Sequence, residues 1–139
     1  MSVEPRGASA AVEALGVAVA ARVPVLLWGA PGTGKTSAIR AMARAMDLPC
    51  ETVIASIREP SDFAGLPIVV GDGHEVMFAP PAWARRLAEA GRGLLFLDEL
   101  STAPPAVQAA LLRVVLERAV GDLTLPDEIA VVAAANLIL

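Results

Sequence analysis

Residues 23–28 form a short, unbroken apolar run that leads directly into Gly29-Ala30-Pro31-Gly32-Thr33-Gly34-Lys35-Thr36. A continuous apolar run of this length reads as a strand buried on both faces. Beyond the loop, Ile39, Met42, Ala43 and Met46 recur at helical spacing, while Arg40 and Arg44 fall on the wetter side. The spacing predicts a helix over 35–46, with Pro49 marking its exit. Glycines at 32 and 34 leave no side chain between the backbone N–H groups and a bound anion, and a helix starting at Lys35 adds the positive end of its dipole. In that strand–loop–helix context, G-x-x-x-x-G-K-[ST] is a phosphate-binding pattern. Gly29, Ala30, Pro31, Gly32, Thr33 and Gly34 are the expected cradle for the phosphates of ATP. Lys35 is expected to reach the β- and γ-phosphates, and Thr36 to offer its hydroxyl to Mg²⁺. Among 11 basic residues Lys35 is the one lysine, so its identity reflects a chemical requirement rather than a general preference.

The rest of the chain alternates strands and helices. An amphipathic helix over 8–21 carries Val12, Leu15 and Val19 on one face, after a frayed start over 1–7. Residues 52–56 read as a second strand, followed by a less regular stretch over 57–67. Apolar residues 68–70 and 75–78 flank Gly71-Asp72-Gly73-His74, a strong hairpin signal. Pro80-Pro81 opens a helix that runs to Ala90. Residues 94–97 form another buried strand. Thr102 is placed to cap the next helix, which carries Pro104 and Pro105 in its first turn, Val107, Leu111 and Val114 on its inner face, and runs to about residue 120. A polar link containing Pro126 leads to a last strand over 129–135, ending at Asn136. Buried strands alternating with helices imply an α/β three-layer sandwich around a mainly parallel sheet, with a small β-hairpin insertion at about 66–79.

Composition narrows the function classes. With 55% hydrophobic and 19% charged residues, 139 residues suffice for a single globular domain. A net charge of −4 and the lack of any basic stripe argue against a nucleic-acid surface. The single cysteine, Cys50, excludes an intrachain disulfide and suits a reducing, cytoplasmic setting; a small buried hydrophobe is its simplest reading. His74, with no Cys or His beside it, reads as a solvated turn residue. The apolar run over 8–21 is interrupted by Glu13 and is too short to span a bilayer, so no membrane segment is expected.

Two further features bear on chemistry. The strand 94–97 delivers Asp98 and Glu99 to its C-terminal tip, where α/β sheets bind ligands. Asp98 is placed to hold Mg²⁺, and Glu99, directed differently, to take a proton from an attacking water. Asn136 ends the last strand, where a neutral amide beside the γ-phosphate can orient that water without adding negative charge. The expected catalytic set is therefore Lys35, Glu99 and Asn136, with Thr36 and Asp98 as the metal-binding pair.

The order of the loop, the acidic strand tip and the terminal Asn resembles the AAA+ ATPases, whose Walker A, Walker B and sensor 1 strands follow that order. Arg58-Glu59-Pro60-Ser61-Asp62-Phe63-Ala64-Gly65-Leu66-Pro67, the hairpin, Ala79-Pro80-Pro81 and Leu97-Asp98-Glu99-Leu100-Ser101-Thr102-Ala103 resemble the MoxR and dynein-related branch. The resemblance spans about residues 10–136. It implies Mg²⁺-dependent ATP hydrolysis, a ring of identical subunits, and remodelling or maturation of a protein partner, a VWA-domain protein among the candidates. It also implies strand order 5-1-4-3-2. The family continues past sensor 1 with a fifth strand, an arginine finger and a helical lid. This chain has no counterpart of them, so it reads as a partial AAA+ nucleotide-binding domain over 1–139, with residues 23–28 at an open edge.

Other classes compete with that reading. A truncated module that binds nucleotide, or only associates, without efficient turnover is the main alternative. A small phosphotransferase would need an acceptor site and an Arg-rich lid, and a DNA-directed motor gains nothing from the acidic balance. Arg113 and Arg118 are candidates to face a neighbouring subunit, solvated helix positions being the simpler account.

Overall fold

The computed structural model describes residues 4–29 and 34–136. Along these residues run α1 (Glu4–Ala20), β1 (Val25–Gly29), α2 (Lys35–Ala45), β2 (Cys50–Ile54), α3 (Ser61–Ala64), β3 (Leu66–Val70) and β4 (Glu75–Ala79). Then follow α4 (Ala82–Ala90), β5 (Arg92–Asp98), α5 (Pro105–Glu117), β6 (Ala119–Val120), β7 (Leu123–Thr124) and β8 (Glu128–Asn136). Single 3-10 turns occupy Ala55–Ile57 and Leu100–Thr102.

Four strands form the main sheet in the order β1-β8-β5-β2, all parallel. The two central strands explain the unbroken apolar runs, since β5 and β8 are covered on both faces. Successive side chains point to opposite sides and divide the core in two. Leu95, Leu97, Val131 and Ala133 pack beneath Phe63, Trp83, Leu87, Val107, Leu111 and Val114 of α3, α4 and α5. Leu94, Phe96, Ala130, Val132 and Ala134 pack against Leu15 and Val19 of α1 and Ile39 and Met42 of α2. Helices, sheet and helices make the expected three layers, with the parallel four-stranded sheet of a P-loop ATPase. Each fully buried Leu, Ile or Phe in them contributes about 1.5–3 kcal/mol. No helical lid occurs among the described residues, and none of their helices is long and apolar enough to cross a membrane.

Several elements differ from the sequence expectations. Helix α1 begins at Glu4 rather than near residue 8, and Val12 is 47% exposed, so only Leu15 and Val19 of the three expected residues reach the core. Strand β2 lies two residues earlier than 52–56, because Cys50 pairs with Leu94 and Ile54 with Asp98. Ser56 is thereby left in a 3-10 turn beyond the strand. Pro104 occupies the N-cap of α5 without a side-chain cap, whereas the Thr102 hydroxyl donates to the Glu99 carbonyl at 3.2 Å. That helix stops at Glu117 instead of near 120. Arg118 turns left-handed there (φ 56°) and its guanidinium donates to the carbonyls of Pro126 (2.8 Å) and Ile129 (2.6 Å).

The link before β8 also contains a hairpin, β6–β7, that sequence reading missed. It docks the base of the larger hairpin β3–β4. The Asp122 N–H donates to the Phe78 carbonyl (2.9 Å), the Phe78 N–H to the Asp122 carboxylate (2.8 Å), and the Gly121 N–H to the Phe63 carbonyl (2.9 Å). Gly121 has φ 58°, and a Cβ there would lie 2.6 Å from the Phe78 carbonyl oxygen, so only glycine fits this close approach. Beyond its base the hairpin is open: Val69 and Val76, paired near the turn, are each more than half exposed. Strand β1 pairs with β8 alone among the described residues, and Leu26 and Trp28 on it are 45% and 59% exposed.

Candidate functional site

Parallel register brings the strand tips level. Gly29 at the end of β1 pairs with Asn136 at the end of β8, and Ile54 at the end of β2 pairs with Asp98 at the end of β5. Gly29 leads into the loop, and Gly34, in the left-handed region at φ 78°, forms the N-cap of α2. Ala30, Pro31, Gly32 and Thr33, four of the expected phosphate-cradling residues, lie outside the described residues.

The remaining candidates meet at this edge. The Lys35 ammonium donates to the Gly29 carbonyl (3.1 Å) and to Oδ1 of Asn136 (3.1 Å), two residues separated from it by 6 and 101 positions. One lysine at the start of α2 thus joins the end of β1 to the end of β8. Beside it, the Thr36 hydroxyl donates to Oδ2 of Asp98 at 3.0 Å. A hydroxyl and a carboxylate in contact are hard oxygen donors of the kind Mg²⁺ takes, with waters and phosphate oxygens completing its shell. The donor set fits that ion. Among the described residues no cluster of three or more His, Cys, Asp or Glu side chains offers a full protein cage.

Asp98 and Glu99 are adjacent in sequence but serve different directions. Glu99 sits in the left-handed region (φ 55°, ψ 42°), a costly conformation for a non-glycine residue. This turns its side chain away from the Asp98–Thr36 contact, and Oε2 accepts a hydrogen bond from the Ser56 hydroxyl at 3.1 Å. The turn is held from both sides: Oδ1 of Asp98 accepts the Glu99 N–H (2.8 Å), and the Glu99 carbonyl accepts from Thr102. Strain persists only where the surroundings over-determine it, and here it separates the two carboxylates.

Sequence reasoning missed two hydroxyls. Ser56, which the sequence places at the end of a strand, carries as its signal a polar side chain at a parallel strand tip. Ser101, whose Oγ accepts the Asn136 N–H at 3.0 Å, had no local signal at all. Arg113 and Arg118 do not stand free on a helix face. Arg113 pairs with Glu117 (3.0 Å) and donates to the Gly121 carbonyl (3.3 Å), and Arg118 braces the approach to β8. Cys50 opens β2 half-buried, where burial pushes its thiol pKa up. A wide apolar recess of about 580 Å³ lies between β1 and α5, lined by Val25, Leu26, Leu97, Leu112 and Val115; Lys35, Asp98, Glu99 and Asn136 are not among its walls.

A parallel sheet whose tips gather a glycine-led loop, a lysine, a hydroxyl–carboxylate pair, a second carboxylate and an amide has the layout of the P-loop ATPases. The chain belongs to the ATPase family associated with various cellular activities (AAA), whose model matches residues 24–138. It is 34% identical over 115 residues to Protein MoxR of Methylorubrum extorquens, covering 82% of this chain and 33% of that protein. It is 33% identical over 115 residues to Protein MoxR of Paracoccus denitrificans, covering 81% and 32%. The chain therefore spans about a third of the length of these relatives. A solved structure of an ATPase candidate from Cytophaga hutchinsonii superposes with a TM-score of 0.63 at 24% identity, over 94% of this chain and 39% of that one. The likeness at that identity is one of fold.

Proposed function

We propose that this chain binds ATP with Mg²⁺ at the tips of β1, β5 and β8 and hydrolyses it as a subunit of a cytoplasmic, MoxR-like AAA+ assembly that remodels or matures a protein partner. The observation that carries this reading is the meeting of Lys35 with Asn136 and of Thr36 with Asp98, four residues from three elements that converge on one edge of the sheet.

Each residue then has a task. The Lys35 ammonium exchanges the Asn136 and Gly29 oxygens for β- and γ-phosphate oxygens, which carry more charge. Thr36 and Asp98 hold Mg²⁺, which neutralises charge developing on the phosphates. Asn136 orients the attacking water beside the γ-phosphate. Glu99 takes that water's proton as its oxygen bonds to the γ-phosphorus; the bond to the bridging oxygen breaks and ADP leaves. Full turnover draws on an arginine supplied by a neighbouring subunit, which is worth about 10³–10⁵ in rate in enzymes of this chemistry. The protein partner, for which the family resemblance suggests a VWA-domain protein, would contact surfaces away from the tips, and the open hairpin β3–β4 is the apolar surface suited to that.

The test is Glu99→Gln, assayed for ATP binding and for phosphate release over a range of protein concentrations. Binding is expected to survive while release falls by about 10²–10⁴, the usual worth of a general base. Unchanged release would sink the role of Glu99. Tight ATP binding by the parent protein with no release at any concentration would leave a binding module in place of a hydrolase.

A further inference from the structure

We infer that Ser101 is a positioning residue for Asn136, fixing where that amide stands against the terminal phosphate of the nucleotide. The inference rests on the proposed phosphate site and adds a residue to it. The reason lies in the sheet ladder. Strand β8 pairs with β1 through to Gly29↔Asn136, but its pairing with β5 ends three residues earlier, at Leu97↔Ala133. The last residues of β8 therefore project past their neighbour on one side. The Asn136 N–H points to that side, where the ladder offers it no carbonyl.

Ser101 fills the gap. After Asp98 the chain leaves the sheet through the left-handed Glu99, and the 3-10 turn Leu100–Thr102 swings Ser101 back over the tip of β8. Its Oγ accepts the Asn136 N–H at 3.0 Å, in a half-buried position 35 residues away in sequence. A hydroxyl in such a turn ordinarily bonds its own local backbone, as Thr102 does with Glu99. Ser101 instead reaches across elements to the end of β8. With its N–H pinned here, the backbone of Asn136 stays fixed when bound phosphates draw Lys35 away from its Oδ1. Removing the Ser101 hydroxyl frees the backbone end, so the amide loses its fixed distance to the γ-phosphate while the β-phosphate contacts of Lys35 persist.

The experiment compares ATPγS and ADP affinities by calorimetry for the parent, Ser101→Ala, Ser101→Thr, Asn136→Ala, Ser101→Ala with Asn136→Ala, and Lys35→Ala. Ser101→Ala is expected to weaken ATPγS about fivefold, the worth of one neutral hydrogen bond, and to leave ADP unchanged. Ser101→Thr, which keeps the hydroxyl, should restore the triphosphate preference. In the Asn136→Ala background the Ser101 change should add nothing, because the two act through one group. Should the alanine variant not fold, Ser101→Cys, similar in size with a weaker acceptor, makes the same comparison. Equal losses for both nucleotides, no loss for ATPγS, or a full additional loss on top of Asn136→Ala would each overturn the inference. Lys35→Ala separates the two levels: undiminished ATPγS binding there refutes the phosphate site itself, whereas lost binding there with a silent Ser101→Ala refutes only the positioning role.

Discussion

Replacing Glu99 by glycine should make the protein more stable than replacing it by alanine, although both changes remove the carboxylate. Glu99 has φ 55° and ψ 42°, where a side chain's Cβ crowds the following carbonyl at a cost of about 1–2 kcal/mol. Alanine keeps that cost and glycine does not. Glycine also widens the unfolded ensemble, which takes back about 0.5–1 kcal/mol. Both variants lose the same hydrogen bond from Ser56, so it cancels in the comparison. Taken at the middle of these ranges, Glu99→Gly is expected to exceed Glu99→Ala by about 0.75 kcal/mol. For a chain of this length that is about 2–4 °C in Tm. Urea unfolding followed by circular dichroism, with equal slopes for the two variants, measures the difference directly. A glycine variant equal to or less stable than the alanine variant would refute the claim that Glu99 is held against a backbone cost. Phosphate release should be lost in both, since both remove the carboxylate proposed as the general base.

Two other outcomes are expected. Gly121→Ala places a Cβ 2.6 Å from the Phe78 carbonyl oxygen at φ 58°, and should cost about 2–3 kcal/mol; faster hydrogen exchange at the Phe78 and Asp122 amides than in the sheet amides of β5 would locate the damage at the hairpin base. Cys50 has its thiol pKa raised above the ordinary 9.0 by burial, partly opposed by the Thr52 hydrogen bond and the Arg40 charge. The folded state thus holds that proton more tightly than the unfolded one, so its contribution is fully present below about pH 9 and is lost as pH climbs through the raised value. Alkylation of Cys50 at pH 8.5 should accordingly be slower in the folded protein than in urea, and equal rates would contradict the burial.

What the sequence made legible follows from how local each signal is. The helix of Ile39, Met42 and Ala43, the inner face of Val107, Leu111 and Val114, and the β3–β4 hairpin are written in short-range periodicity and turn chemistry, and all appear where expected. The juxtaposition of Lys35 with Asn136 and of Thr36 with Asp98 was also foreseeable, because parallel strands align their C-terminal tips. What failed were features decided by tertiary contacts. Val12 has the spacing of a core residue but stands beyond the reach of the sheet. Thr102 has the chemistry of an N-cap, yet the left-handed Glu99 offers its carbonyl first. Arg118 has good helix propensity, but it turns left-handed with its guanidinium on two backbone carbonyls near β8, and the helix ends at Glu117, short of the expected 120. β6–β7, at two residues a strand, is too short to leave a periodicity.

The same distinction bears on how the site connects to the hairpin. Ser56, which holds Glu99, begins the irregular stretch that runs through α3 to Gly65, and Gly65 lies against Gly121 and Phe78 at the hairpin base. A Cβ on Gly65 would come within 2.7 Å of the Gly121 Cα, so these backbones are already in contact and cannot approach further. On the other side of the site, Arg113 of α5 donates to the Gly121 carbonyl. The hairpin base is therefore gripped by two segments, one leading back to the Ser56–Glu99 contact and the other to the helix that follows Glu99. The exposed apolar strands of β3–β4 thus stand on a base tied by one segment to Ser56 and by the other to α5, on either side of Glu99.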